Sequence, residues 1–134
     1  MGAVAPIMKD EPNPASTKPR IGVVGPCKSG KSTLVRGLQG AGYQATQIAQ
    51  EHSFAPRMWE QISKPDVLIY LHSEYETTVR RGLIWTRAEY EDQRPRLVHA
   101  HKNADLKITT DDLLPETVLK RVLDFLANGP NLIS

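Results

Sequence analysis

The sequence predicts an α/β protein, a three-layer fold with a small, mostly parallel sheet of about four to five strands. Three observations carry this. An apolar run, Ile21-Gly22-Val23-Val24, leads through a glycine-bearing loop into a segment with helical spacing, Ser32 to Leu38. A second apolar run, Val67-Leu68-Ile69-Tyr70-Leu71, is continuous and not alternating, as expected of a strand covered on both faces. Strand-like and helix-like stretches then alternate through short connections to about residue 127.

Taken in order, residues 1–20 contain Pro6, Pro12, Pro14 and Pro19 with few large apolar side chains, and read as a disordered N-terminal tail ahead of a single domain, 21–134. The first strand is Ile21–Val24. The first helix ends at Gly40-Ala41-Gly42, and Tyr43–Ala49 alternates as a second strand. Within residues 51–64, Met58, Trp59 and Ile62 mark the inward face of one short helix. Pro65-Asp66 opens the strand at 67–71. A short helix follows to about Arg81, with Ser73 as its N-cap and Glu74 and Glu76 in its first turn; the alternative to a functional Arg80 is a solvated charge paired at i,i+4 spacing with Glu76. A second helical stretch from about Thr86 to His101 is interrupted or kinked at Pro95. Leu106–Thr110 reads as the last strand. An amphipathic helix from Pro115 to Ala127 closes the domain, turning Val118, Leu119, Val122, Leu123, Phe125 and Leu126 inward, with Gly129-Pro130 as its stop.

The chemistry concentrates in residues 25–32. Gly25-Pro26-Cys27-Lys28-Ser29-Gly30-Lys31-Ser32 is a complete G-x-x-x-x-G-K-[ST] pattern, and Thr33 continues it into the helix. Strand, loop and helix are the context that gives the pattern its meaning. Gly25 and Gly30 permit turns that bring backbone N–H groups close to phosphate oxygens, and the start of the helix adds its positive dipole end. Pro26 stiffens the loop where no donor is needed. Lys31 is expected to reach the β- and γ-phosphates, and the Ser32 hydroxyl to ligate Mg²⁺. Lys28 and Ser29 are loop positions facing solvent or phosphate, without assigned chemistry. Cys27 is either a thiol activated by the loop or a small filler turned away; the filler reading is favoured.

The rest of the composition mainly excludes. The net charge of +2 is small and dispersed, which argues against nucleic acid. One cysteine among 134 residues permits no intrachain disulfide and suits a reducing compartment. No apolar run has the length of a membrane span, no secretory signal is evident, and Pro6 stands where a myristoylation motif wants Ser or Thr. A cytoplasmic protein with no membrane partner is expected.

The layout resembles the nucleoside-monophosphate kinase and shikimate kinase branch of P-loop NTPases, in a minimal form. Three segments carry the resemblance: the loop 25–32; Asp66-Val67-Leu68-Ile69-Tyr70-Leu71-His72 running into a helix with Arg80-Arg81; and Ala104-Asp105-Leu106-Lys107-Ile108-Thr109-Thr110-Asp111 followed by Pro115-Glu116-Thr117-Val118. Together they cover most of residues 20–127. The resemblance implies that Arg80 or Arg81 contacts phosphate while the other stacks on adenine, that Arg87 belongs to a lid shortened to Gly82–Arg87, and that the base rests on Asp111–Pro115. The acceptor-binding segment of that branch is cut to residues 50–64. The Asn-Lys-x-Asp base reader of GTPases is missing, because His101-Lys102-Asn103-Ala104-Asp105 precedes its strand, so ATP is expected over GTP, with another NTP left open.

Ligands of open α/β sheets gather at the carboxyl ends of strands. Asp66 begins its strand and is expected to be structural. Glu51 falls just past the second strand, at the ligand edge, and is the candidate acidic partner of Mg²⁺ beside Ser32, with His52 next to it. The expected function is therefore Mg-ATP binding with phosphoryl transfer to a small-molecule acceptor or slow ATP hydrolysis, using Lys31, Glu51, Arg80 and Arg81. The alternative is a non-catalytic nucleotide-binding regulatory module. A third reading has the chain associate through a sheet edge, or complete the pocket as a homo-oligomer. Trp59 and Trp85 read as packing anchors, with Trp85 also placed to cover a nucleotide. His99 and His101, two apart, do not share a helical face and do not form a zinc site.

Overall fold

A computed structural model describes residues 18–128. Most of the expected tail, the Gly129-Pro130 stop and the side chain of Ile62 lie outside the described residues. The tail's expected end at residue 20 moves inward. Lys18 donates to the Ala41 carbonyl at 3.2 Å and sits over the Tyr43 ring, and Arg20 is already strand.

Four strands form one all-parallel sheet: β1 (Arg20–Val24), β2 (Gln44–Gln47), β3 (Val67–His72) and β4 (Leu106–Thr109), in the spatial order β2-β1-β3-β4. Helix α1 (Lys31–Gly40) connects β1 to β2. A 3₁₀ turn (Gln50–His52) and α2 (Met58–Ser63) precede β3; α3 (Tyr75–Arg80), α4 (Arg87–Glu91) and α5 (Arg94–Asn103) lie between β3 and β4; α6 (Pro115–Asn128) follows β4. The chain leaves β1 toward β2, then returns past it to β3. The order therefore reverses at β1/β3, where a parallel sheet opens a crevice for ligand.

Side-chain alternation divides the core into two layers. Ile21, Val23, Val67, Ile69 and Leu71 pack with Leu34, Leu38, Val118 and Val122 beneath α1 and α6. Val24, Leu68 and Tyr70 pack with Ile48, Trp59, Leu97 and Ala100 on the other face. This is why 67–71 is apolar at every position: alternate residues serve different cores. On α6, Val118, Val122 and Leu126 are buried, and Leu119, Leu123 and Phe125 are partly buried against the same cluster.

Two local expectations change. Glu74, not Ser73, precedes the first turn of α3. The Glu74 N–H is bonded by Asp111 Oδ1 at 2.8 Å, while Ser73 is turned inside, its carbonyl accepting the Tyr90 hydroxyl. Pro95 does not kink one helix. It sits in the first turn of α5, where a missing N–H costs nothing, and the break at Asp92-Gln93 separates α5 from α4, whose Thr86–Glu89 capping box fixes its start. The alternative pairing of Arg80 with Glu76 does not form either: Glu76 pairs with Arg87, and Arg80 donates to the Thr77 hydroxyl at 3.1 Å.

Asp111 is thus a bridge from the end of β4 to the start of α3. Burial works against its charge, but the Thr77 hydroxyl and the Glu74 N–H, with His72 and Arg81 nearby, more than offset that and hold the carboxyl below its ordinary pKa. A depressed carboxylate stabilises the fold above its unfolded pKa, and the contribution is lost as pH falls through the lower, folded value. Asp111→Ala is expected to cost about 1 kcal/mol at neutral pH. The gap from the parent protein should close in urea titrations as the solution is acidified past the ordinary aspartate range. A gap that widens on acidification would contradict this assignment.

Among the described residues, no helix is long and apolar enough to cross a membrane.

Candidate functional site

The loop between β1 and α1 lies at the carboxyl edge of the sheet, at the reversal point. Gly25 has φ +150°, and a Cβ there would stand 2.1 Å from the Leu71 carbonyl oxygen. Gly30, at φ +105°, is the N-cap of α1, and no side chain caps that helix. An uncapped N-terminus of ten residues leaves first-turn N–H groups without side-chain partners.

Lys31 is buried, and its ammonium makes three short hydrogen bonds: to the Gly25 carbonyl at 2.8 Å, the Pro26 carbonyl at 2.9 Å and Glu51 Oε2 at 3.0 Å. The lysine clasps its own loop and ties it to the far end of β2. Both side chains of the pair are 3 % exposed. Glu51 is placed by its neighbours. Gln50 Nε2 donates to the Ala55 and Arg96 carbonyls, Gln50 Oε1 accepts the Trp59 N–H, and Arg96 donates to the Glu51 carbonyl at 3.1 Å. Glu51 Oε1 is buried with no hydrogen-bond partner.

Lys31, Ser32, Thr33, Glu51, His52 and Arg81 share one cavity of about 470 Å³, together with Cys27, Lys28 and Gly30. Arg81 crosses the loop, donating to the Lys28 carbonyl at 2.9 Å and to the Thr110 carbonyl at 2.7 Å. The Thr110 hydroxyl in turn donates to the Ser29 carbonyl at 2.9 Å. A neighbouring cavity of about 270 Å³ is bounded by Ser29, Gly30, Thr33, Arg81, Thr110, Leu113 and Pro115.

The structure therefore brings together Gly25 to Thr33, Glu51, Arg81 and Pro115. It leaves three candidates elsewhere. Arg80 is exposed and bonded to Thr77, one helical step away from the loop. Arg87 pairs with Glu76 and Glu91 and stacks on Tyr75. Asp111 is committed to the Glu74 N–H. The lid segment is tied down: Leu83 is buried, the Trp85 carbonyl accepts the Tyr75 hydroxyl, and the Trp85 ring meets His52 edge-on at 5.6 Å. Asp66 sits at the opposite edge, as expected, accepting the Arg20 N–H at 2.8 Å. Trp59 is a buried anchor whose ring N–H is taken by His99.

Two loop residues differ from expectation. Ser29 is fully buried against Gly25, its hydroxyl without a partner, and so does not face solvent. Cys27 is not a filler turned away; its Sγ lies 3.5 Å from His52 Nε2 and 3.8 Å from Glu51 Oε2. Burial and the Glu51 charge raise its pKa, outweighing the pull of Lys31 and Lys28. The thiol is accordingly protonated at neutral pH. Cys27 should alkylate with iodoacetamide more slowly than free cysteine at pH 8, the rate climbing with pH, as intact-mass time courses would read. Faster alkylation than free cysteine would refute that ordering.

Three donors, Cys27 Sγ, Glu51 and His52, lie within 4.8 Å of one another and could hold a cation. For Mg²⁺ the better set is Glu51 with Ser32, since a thiol is a poor ligand for a hard ion. The unpartnered Glu51 oxygen is the feature that fits such a group, directly or through water.

Sequence reasoning passed over Gln93, Arg96 and Thr110. Gln93 accepts the Cys27 N–H at 3.0 Å. Thr110 had a usable signal: a polar residue at the carboxyl end of a parallel strand, on the ligand edge. Gln93 and Arg96 had none, because their partners lie 66 and 45 residues away.

No protein-family profile matches this chain, and no curated protein is similar to it in sequence.

Proposed function

We propose that the protein is a minimal P-loop NTPase of the kinase-like kind, binding Mg-ATP and transferring its terminal phosphoryl group to a small acceptor or, slowly, to water. One observation carries the proposal: a buried lysine from the G-x-x-x-x-G-K-[ST] loop meets a carboxylate from the end of the adjacent strand, in a cavity that also holds Ser32 and Arg81. A strand-to-helix turn with no ligand has no use for a buried ion pair at its centre, which costs desolvation energy.

In this reading the loop N–H groups and the α1 N-terminus receive phosphate, and Lys31 exchanges its loop carbonyls for phosphate oxygens. The purine lies in the 270 Å³ cavity between Arg81 and the Leu113–Pro115 segment. Ser32 and Glu51 would hold Mg²⁺, which neutralises charge on the phosphates. Glu51 also positions a water or acceptor hydroxyl. Arg81, already at the loop, steadies transferred charge.

The non-catalytic alternative draws on a specific observation: Arg81 is bonded to two backbone carbonyls and Arg80 is remote, so among the described residues the arginine lining the cavity is already engaged. Thermal unfolding with ATP, ADP, GTP and AMP, with and without Mg²⁺, tests binding, and phosphate release in the same samples tests turnover. Stabilisation with turnover supports the enzyme; stabilisation alone supports the regulatory module; no stabilisation by any nucleotide removes both.

The two arginines should separate cleanly. Arg81→Ala is expected to weaken ATP binding about tenfold or more, as loss of a charge-assisted contact does, and Arg80→Ala less than twofold. Calorimetric titration would measure both. Equal effects would break the assignment of Arg81.

A further inference from the structure

On the other side of Pro26 lies a groove of about 470 Å³ between α5 and the β3–β4 half of the sheet. Five basic side chains line it: His72, Arg94, His101, Lys102 and Lys107. Among the described residues, no carboxylate does. His72 and Arg94 are answered from outside by Glu74 and Glu91, at 2.8 Å and 3.1 Å. Lys102 and Lys107 form no ion pair among the described residues. Burial first, then the Lys107 charge and His72, hold His101 below its ordinary pKa.

The groove also has a buried donor in want of an acceptor. Gln93, 1 % exposed, lines it and accepts the Cys27 N–H of the loop at its Oε1, while its Nε2 has no partner among the described residues. A buried amide donor left unmade costs about 1–3 kcal/mol, so such a group points to an oxygen that completes it. Tyr70 and Tyr90 give the floor an aromatic surface.

We propose that this groove binds a small organic anion with clustered oxygens, a phosphate ester or a polycarboxylate, separately from the nucleotide. Lys102 and Lys107 hold the charged end, Gln93 Nε2 donates to one oxygen, and the aromatic floor takes the carbon skeleton. The same amide holds the loop's Cys27 N–H, so the occupant sits one side chain from the phosphate loop.

The chain has four histidines, and they report on different places. His72 and His101 line the groove, His52 lines the loop cavity, and His99 is held by Trp59 outside both. Imidazole NMR signals of the intact protein can therefore be followed as inorganic pyrophosphate, glycerol phosphate or citrate is added at constant ionic strength. Expected is a saturable shift of His72 and His101 with at least one anion, His99 staying still. Lys102→Ala/Lys107→Ala, two exposed positions, should weaken that response about tenfold and leave the response of His52 to Mg-ATP unchanged. Whichever of the three anions acts identifies phosphate or carboxylate as the better source. Silence at His72 and His101 with all three, shifts that merely follow ionic strength, or shifts indifferent to the double substitution would overturn the proposal. Tighter binding of a single-stranded oligonucleotide in the groove would overturn it too. His52 answering Mg-ATP while the groove stays silent would sink only this inference; the reverse would sink only the nucleotide reading.

Discussion

Lys31→Met is expected to do two things at once: abolish ATP binding and destabilise the nucleotide-free protein by about 3 kcal/mol. The first follows from the proposed phosphate contact. The second follows from the geometry, since removing the ammonium strands a carboxylate 3 % exposed and two loop carbonyls that had shared its protons. Adding Glu51→Gln should recover most of the stability, because a neutral amide does not need a counter-charge, while ATP binding stays lost. Urea unfolding of the parent, the two single variants and the double variant forms a cycle whose coupling energy isolates the pair. A Lys31→Met protein as stable as its parent would show that the pair carries no weight in the fold. ATP affinity unchanged by the same substitution would remove the nucleotide reading instead. Sequence alone suggests a lysine that serves ligand and not the core; in the structure it closes its own loop and pairs with Glu51.

That contrast marks where the sequence stops being readable. Strand–loop–helix at 21–38 is local and strongly patterned, and so is the continuous run at 67–71, so the sheet class and the ligand edge follow from them. Glu51 was legible because parallel strands deliver their next residue to the edge where the loop already sits. The choice between Arg80 and Arg81 was not. One residue turns a side chain by about 100° around a helix, and the direction α3 faces is set by Asp111 and Tyr90, which hold Glu74 and Ser73 from distant parts of the chain. Ser29 and Cys27 illustrate the same limit inside the motif. The pattern fixes glycines and the lysine, but which intervening side chains turn inward depends on Leu71 across β3 and on Glu51-His52 beyond β2.

The groove beside α5 was illegible for a further reason. Its basic residues come from β3, β4 and α5, and in sequence each looks like an ordinary solvated charge. Only the parallel crossover that seats α5 against Tyr70, through Leu97 and Ala100, collects them. Net charge over the whole chain hides the effect, since the compensating carboxylates lie elsewhere. The same crossover supplies Arg96 to the Glu51 carbonyl and Gln93 to the Cys27 N–H, so one short helix buttresses the loop from behind while presenting cations to the groove.

Gly25→Ala is expected to be the most damaging single substitution in the loop, and Gly30→Ala a mild one, although both glycines belong to one motif. At Gly25 the new methyl would stand 2.1 Å from the Leu71 carbonyl oxygen and 2.9 Å from the Ser29 hydroxyl. The carbonyl belongs to the central strand β3, where Leu71 is in register with Ile108 of β4, and cannot move without disturbing that pairing. The backbone there is also in a region alanine rarely adopts, φ +150°. Steric conflict and strain together should cost about 3 kcal/mol or more, a large share of the stability of a domain this size. At Gly30 the backbone is again left-handed, φ +105°, but the nearest atom to a new methyl is a Leu71 side-chain carbon at 4.0 Å. Only the conformational term remains, about 1 kcal/mol. Thermal melts without nucleotide should therefore show Gly25→Ala unfolded or deeply destabilised and Gly30→Ala a few degrees below the parent. Equal losses would mean that the approach of β3 to the loop does not govern the fold. With Gly30→Ala still folded, its ATP affinity then reports on the loop's N–H groups alone, because the lysine clasp and the sheet beneath it are intact.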